Sequence, residues 1–190
     1  MQWRFNQHPN LAGLHATFSP SQSYWLRYDD DKILEFYANK KAAERGTRLH
    51  EWAKETIDLG IKQPRSNKTL YAYVNDAIGF KMSTEVVLFY SQHYFGTADA
   101  ISFRDGVLRI HDLKTGKVGK IESHLEQLEV YAALFCLEYD IKPADIKIYL
   151  RVYKVDEVVE HEPLIEDIEA IMNIIVHGDK LLTKNEYEEG

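Results

Sequence analysis

Gly96-Thr97-Ala98-Asp99-Ala100-Ile101-Ser102-Phe103-Arg104-Asp105-Gly106-Val107-Leu108-Arg109-Ile110-His111-Asp112-Leu113-Lys114-Thr115-Gly116 reads as two strands joined by a tight turn. Asp-Gly between alternating apolar runs is a strong hairpin signal, and a two-residue turn fixes the register. With Asp105 and Gly106 at the turn, Arg104 faces Val107. The same register pairs Phe103 with Leu108, Ile101 with Ile110, and Asp99 with Asp112. The two apolar pairs are candidate core, and the two acids follow them on that face. Their Cβ atoms would then lie about 5 Å apart, where like charges repel. Acids held at a buried edge need a compensating cation. Lys114 stands two residues beyond Asp112 on the same face and supplies one positive charge. A divalent metal would supply the rest, which is the arrangement of a metal-dependent phosphodiesterase. The plain alternative is a chance D-x-K beside a solvated acidic pair.

Three further pieces stand around this hairpin. Upstream, Gly46-Thr47-Arg48-Leu49-His50 opens the helical run His50-Glu51-Trp52-Ala53-Lys54-Glu55. Downstream, Gln127-Leu128-Glu129-Val130-Tyr131 lies in a helical run from about Glu122 to Asp140. Gln127 and Tyr131 are i and i+4, so they share a helix face. Read in order, GxxxH, GxxD, DxKTG and QxxxY resemble the RecB-like branch of the PD-(D/E)xK nucleases. Ser19-Pro20-Ser21 also resembles the start of that branch, and the likeness runs from about Phe18 to Tyr153.

The resemblance implies a role for each matching position. His50, Asp99 and Asp112 match metal ligands, with the backbone carbonyl of Leu113 as a further oxygen. Lys114 matches the lysine that orients the attacking water or stabilises charge at phosphorus. Gln127 and Tyr131 match the pair that holds the active site and the nucleic-acid backbone. Glu85, heading the strand Glu85-Val86-Val87-Leu88-Phe89-Tyr90, sits where many relatives carry a glutamate and ranks below the others. Arg48 and Lys117 are candidate phosphate contacts. Phosphodiester hydrolysis needs a nucleophilic water, shielding of the phosphoryl oxygens and help for the leaving oxygen. One or two Mg²⁺ or Mn²⁺ ions can supply all three. Carboxylate and carbonyl oxygens suit hard ions, and the imidazole of His50 extends the choice to Mn²⁺.

Composition sets the outer limits. A chain of 190 residues, 45% hydrophobic, is long enough for one domain with a proper core. Residues 18–155 would be its motif-bearing part and 156–190 an acidic C-terminal strand, helix and tail. No apolar run is long enough for a transmembrane span, and Met1-Gln2-Trp3-Arg4-Phe5-Asn6 lacks a signal-peptide core. An intracellular, cytoplasmic protein is the expectation. The single cysteine, Cys136, cannot build the four-cysteine iron–sulfur cluster that some RecB-like relatives carry. The chain therefore resembles the cluster-free exonucleases of that branch.

The net charge of −7 speaks at first against a nucleic-acid partner. Its distribution answers this. Residues 156–190 hold 11 Asp/Glu against 2 Lys, whereas residues 1–155 hold 19 acidic and 21 basic side chains. The balance suits a partner confined to a narrow site or a strand end rather than indiscriminate binding.

The helical and strand patterns predict an α+β fold with a central mixed sheet flanked by helices, in the manner of a PD-(D/E)xK core. Helices are expected from about Pro20 to Asn39, from Ala42 to Leu59, and from Leu70. Strands are expected over Glu85–Ser91, Gly96–Arg104, Val107–Lys114, Ile146–Tyr153 and Val158–Glu162. A closing helix should cover 164–177, with residues 185–190 frayed. The expected function is a metal-dependent DNA nuclease, foremost an exonuclease acting on DNA ends, single-stranded or with a free end, in replication, recombination or repair. A protein partner in such a complex is compatible with this. A structure-selective endonuclease, a ribonuclease and a non-catalytic nucleic-acid-binding scaffold are the alternatives.

Overall fold

In the computed structural model of this chain, which describes residues 9–11, 16–116 and 120–189, the Asp105-Gly106 turn forms as the sequence predicts. Both residues are left-handed, with φ of 51° and 71°, the conformation of a type I′ hairpin turn. The strands β1 (Ser83–Ser91), β2 (Tyr94–Arg104), β3 (Val107–Leu113), β4 (Lys147–Tyr153) and β5 (Val158–His161) form one sheet in that order. β3 and β4 are parallel and the other neighbours antiparallel. Arg104 pairs with Val107, Phe103 with Leu108 and Ile101 with Ile110, so the predicted register holds through Ala100 opposite His111. The protein is α+β with a mixed five-stranded sheet.

Four helices accompany the sheet: α1 (Asp30–Asp58), α2 (Thr69–Gly79), α3 (Ile121–Glu138) and α4 (Ile165–Glu189). The chain divides into two units, residues 1–45 and 46–190, with the boundary inside α1. In the first unit, rings of Phe18, Tyr24, Trp25, Tyr28 and Phe36 contact one another at centroid distances of 5.6 to 6.2 Å. Trp25 Nε1 donates to the carbonyl of Ser19 at 3.0 Å. Asp29 caps α1 by accepting from the Lys32 amide at 2.8 Å, which satisfies one of the orphan donors at a helix start.

In the second unit the sheet has a core on each face. The crossover from β3 to β4 runs through α3, which lays Leu128, Ala132 and Phe135 against Leu108, Ile110, Ile148, Leu150 and Val152. α4 adds Ile168 and Ile175 to this layer. The opposite face packs Ala53 and Ile57 of α1 and Tyr73, Val74 and Ala77 of α2 on Ala100, Leu113 and Tyr153. A polar network locks α2 to β4. The Tyr153 hydroxyl donates to Asp76 at 2.6 Å, and Arg151 donates to Asp76 at 2.7 Å and to Glu160 at 2.6 Å. His111, beside Tyr153 at 3.3 Å, is held neutral, its pKa pushed down to about 3 by burial and then by Arg151 and Arg109.

Four expectations are corrected. The first helix starts at Asp30 rather than near Pro20, and only a 3-10 turn over Ser23–Arg27 precedes it. The break expected near residues 40–41 is absent and α1 is continuous. Lys40-Lys41-Ala42-Ala43-Glu44-Arg45 contains only strong helix formers, with no Gly or Pro to stop propagation. α4 extends to Glu189 rather than fraying after 184. Phe103, expected in the core, is 41% exposed; it lies beside the turn, with its ring 5.2 Å from that of Phe135 on α3.

One close approach positions the site. A Cβ on Gly96 would lie 2.8 Å from Cε1 of Tyr131, so β2 and α3 meet there only because residue 96 has no side chain. Gly96→Ala should cost about 1–3 kcal/mol through overpacking and push the Tyr131 ring off its place. Thermal denaturation should show the loss; an unchanged midpoint would mean that the ring moves freely.

Candidate active site

Strand β3 brings the first acid into place by alternation. Leu108 and Ile110 are fully buried beneath α3, and Asp112, next on that face, is 3% exposed. β3 ends at Leu113, and the chain stays beside β4 because the Lys114 amide donates to the Tyr153 carbonyl at 2.8 Å. The Lys114 side chain returns along the same face. Its ammonium donates to Asp112 Oδ1 at 3.0 Å and to Gln127 Oε1 at 3.0 Å. Gln127 Nε2 then donates to the Tyr131 hydroxyl at 3.3 Å. Asp112 Oδ2 lies 2.9 Å from the same ammonium, so the ion pair spans both carboxylate oxygens, although the hydrogen bond goes to Oδ1.

The second acid reaches the site by a distortion. Val86 pairs with Ala98 and Thr84 with Ala100, while Glu85 and Asp99 between them stand outside the ladder. Ala98 and Ile101 both join the α3-side core although strict alternation would put them on opposite faces. Glu85 has a left-handed φ of 51°, which costs a non-glycine residue roughly 1–2 kcal/mol. The sheet changes which face its residues present at this point, as irregularities beside functional sites commonly do. Glu85, Asp99 and His50 thereby converge, with one ligand atom from each within 4.8 Å of the others. His50 Nδ1 is 3.5 Å from Asp99 Oδ2, which also accepts from the Leu113 amide at 2.9 Å.

The electrostatics of Asp99 show which effect wins. Burial first, and then the charge of Asp112, push its pKa up to about 6. The Leu113 amide, His50 and Lys114 act the other way and do not prevail. The negative charges are under-compensated, which is the condition that favours cation binding. Below about pH 4 Asp99 is protonated in folded and unfolded chains alike. Between there and about 6 only the folded chain holds the proton, so metal-free stability should fall as pH rises through that window. Cation binding must expel the proton. Calorimetric titration with Mg²⁺ near pH 5.5, in buffers of different ionisation enthalpy, should show net proton release; its absence would remove Asp99 from the ligand set.

The candidate residues fall into three groups. His50, Glu85 and Asp99 form the tightest set of side-chain donors, so Glu85 stands nearer the centre than its sequence rank suggested. Asp112, Lys114, Gln127 and Tyr131 form a hydrogen-bonded file beside it, and Leu113 joins the two groups through its amide. Arg48 is exposed on α1, two residues before His50. Lys117 lies outside the described residues. The GxxxH glycine also finds a physical reason. A Cβ on Gly46 would stand 2.7 Å from Thr115 Oγ1, so α1 approaches the segment after β3 at a bare backbone. Sequence reasoning missed His124, one turn before Gln127 on α3. Its only signal was the three-residue spacing on a face already marked by Gln127 and Tyr131.

Residues 78–169 match the model of a family described as a protein of unknown function, DUF2800. That stretch is just under half of the chain; it includes Glu85, Asp99, Asp112, Lys114, Gln127 and Tyr131 and leaves out His50. No curated protein matches the chain. Among the described residues, no helix is long and apolar enough to cross a membrane.

Proposed function

We propose that the protein is a metal-dependent deoxyribonuclease of the PD-(D/E)xK type, most simply an exonuclease that works from DNA ends. The observation that carries this reading is the lysine ammonium shared between a buried aspartate and a glutamine, beside a second, under-compensated aspartate. A structural ion pair would not require the second acid or the left-handed Glu85, each of which costs the metal-free fold stability.

The donor set fits Mg²⁺ or Mn²⁺. Asp99, Asp112 and Glu85 offer hard oxygens and His50 a borderline nitrogen. Such an ion would supply positive charge at the phosphoryl and leaving oxygens. The chain's own residues do the remainder. Lys114, fixed by Asp112 and Gln127, presents a proton donor at one defined point, where it can orient a water or meet charge developing on the phosphoryl group. Gln127 sets the lysine's direction, and Tyr131 sets Gln127. The Leu113 amide holds Asp99 by Oδ2, the oxygen that also stands 3.5 Å from His50 Nδ1.

The test is a time course on end-labelled single- and double-stranded DNA and a closed circle, with Mg²⁺, Mn²⁺ or EDTA. Asp112→Ala serves as the control for contaminating nuclease. Loss of linear DNA only with metal, with the circle spared, is expected. Cleavage of the circle would make the protein an endonuclease. A folded wild-type protein inert in both metals would leave the scaffold reading in its place.

A further inference from the structure

On the sheet face opposite α3 lies a cavity of about 400 Å³, a size that holds a small molecule. Its floor comes from the middle of the parallel pair. On β3, Arg109 and His111 alternate with Leu108 and Ile110, which belong to the α3-side core, so both point away from Lys114 and Gln127. Pairing with β4 sets Arg109 beside Tyr149 and His111 beside Arg151. Phe80, next after the end of α2, lines the same space, and Glu160 and Glu162 stand at its β5 edge. Two guanidinium groups therefore share the cavity, and only one is matched. Arg151 donates to Asp76 at 2.7 Å, to Glu160 at 2.6 Å and to the Tyr153 hydroxyl at 3.2 Å. Arg109 has neither an ion pair nor a hydrogen bond among the described residues. Its Cζ stands 4.6 Å from the centre of the Phe80 ring and 5.5 Å from that of Tyr149. Stacking holds the faces of a guanidinium and leaves its N–H edge free for a bidentate acceptor. A half-buried charge of this kind on a central strand normally has a partner.

His111, 2% exposed, adds an acceptor to the same floor. The Tyr153 hydroxyl gives its one proton to Asp76 at 2.6 Å, so toward His111 Nδ1, at 3.3 Å, it can only accept. Nδ1 therefore carries the proton of the neutral ring, and Nε2 carries a lone pair. That lone pair has no donor among the described residues and is not closed off from solvent. Because His111 lines the cavity, Nε2 opens into it. A free guanidinium edge and an acceptor nitrogen in one cavity suit a group that accepts several hydrogen bonds and donates one. Hydrogen phosphate does both, as does a phosphate monoester while it keeps its last proton, up to about pH 6. Sulfate and a bare carboxylate only accept. The two acids at the cavity's edge oppose a polyanionic strand and so favour a small ligand.

We infer that Arg109 and His111 form a binding site for a small phosphate-bearing molecule, with the Arg109 guanidinium donating to two phosphate oxygens and His111 Nε2 accepting from the phosphate O–H. The site lies on the other side of the sheet from Lys114 and does not depend on the proposed function. Free phosphate and a phosphate monoester share this chemistry.

Calorimetric titration of the full chain with inorganic phosphate and with sulfate, in EDTA at about pH 6, tests the site. Phosphate should bind saturably, and sulfate about tenfold or more weakly, since it brings no proton to His111. Arg109→Gln and Arg109→Lys, each checked for folding by thermal denaturation, should weaken phosphate binding by about tenfold or more. The lysine variant keeps the charge and loses the fork. Lys114→Ala should bind phosphate as wild type does, which separates this cavity from the candidate reaction centre. In protein carrying ¹⁵N-labelled histidine, the His111 Nε2 resonance, identified by its loss in His111→Gln, should move with phosphate and stay in place with sulfate. Thymidine 5′-monophosphate distinguishes the sources. Tighter binding than inorganic phosphate assigns an ester, and weaker binding assigns free phosphate. No saturable phosphate binding, equal binding of sulfate, or a loss in Lys114→Ala that both Arg109 variants escape overturns the site.

Discussion

Lys114→Ala is expected to lower the cleavage rate by at least about 10²–10⁴-fold, the usual contribution of a positioned proton-transfer or charge-stabilising group. The side chain is 25% exposed, so its head reaches the solvent side of the site while its base is fixed by Asp112 and Gln127. Truncation removes the only ammonium bonded to Asp112 among the described residues and leaves its charge, which already acts on Asp99, without that partner. The metal-free protein should therefore melt somewhat earlier. Divalent-ion affinity should be kept or increased, since the ammonium competes with the ion for Asp112. Mg²⁺ should thus raise the melting temperature of Lys114→Ala by more than it raises that of wild type. Lys114→Arg should not rescue turnover, because a planar guanidinium cannot take the place of a compact ammonium between one carboxylate and one amide oxygen. Single-turnover cleavage and thermal denaturation with and without Mg²⁺ decide the matter. Wild-type rates in Lys114→Ala would remove the proposed chemistry.

The half of the site built on β3 and α3 was legible because local rules determine it. Asp105-Gly106 dictates a two-residue turn, the turn dictates the register, and alternation then places Asp112 and Lys114 on one face. Helical spacing alone placed Gln127 over Tyr131. The other half depends on features that leave no periodic trace. Glu85 reaches His50 and Asp99 through a left-handed backbone that no propensity favours, so its sequence gives no sign of it. His50 belongs to a helix well upstream, 35 residues before Glu85 and 49 before Asp99, and only the GxxxH likeness suggested the encounter. The helix ends were misjudged for a different reason. Neither a Gly nor a Pro interrupts residues 36–45, and the acidic end of α4 carries no breaker before Gly190.

Asp99→Asn is expected to stabilise the metal-free protein while sharply lowering turnover. Asparagine keeps the shape of the side chain and the oxygen that accepts from the Leu113 amide at 2.9 Å. It removes a charge that burial and Asp112 oppose more strongly than His50, Lys114 and that amide support. A carboxyl whose pKa is raised in the folded chain contributes unfavourably above that pKa, and each tenfold gain in proton affinity corresponds to about 1.4 kcal/mol. The gain near pH 7 should accordingly be on the order of 1–3 kcal/mol and shrink as pH falls through the window from about 6 to about 4. Below it, wild type and variant should converge. With Mg²⁺ the order should invert, since wild type gains ligand-linked stability and the variant, having lost an anionic ligand from the His50, Glu85 and Asp99 cluster, gains little. Cleavage should fall by roughly 10²-fold or more, the scale of losing one electrostatic element of such a site. Denaturant unfolding of both proteins across pH 4–8, with Mg²⁺ and with EDTA, tests each part. A variant less stable than wild type in EDTA at pH 7 would show that Asp99 serves the fold. A variant still stabilised by Mg²⁺ as strongly as wild type would place the cation elsewhere.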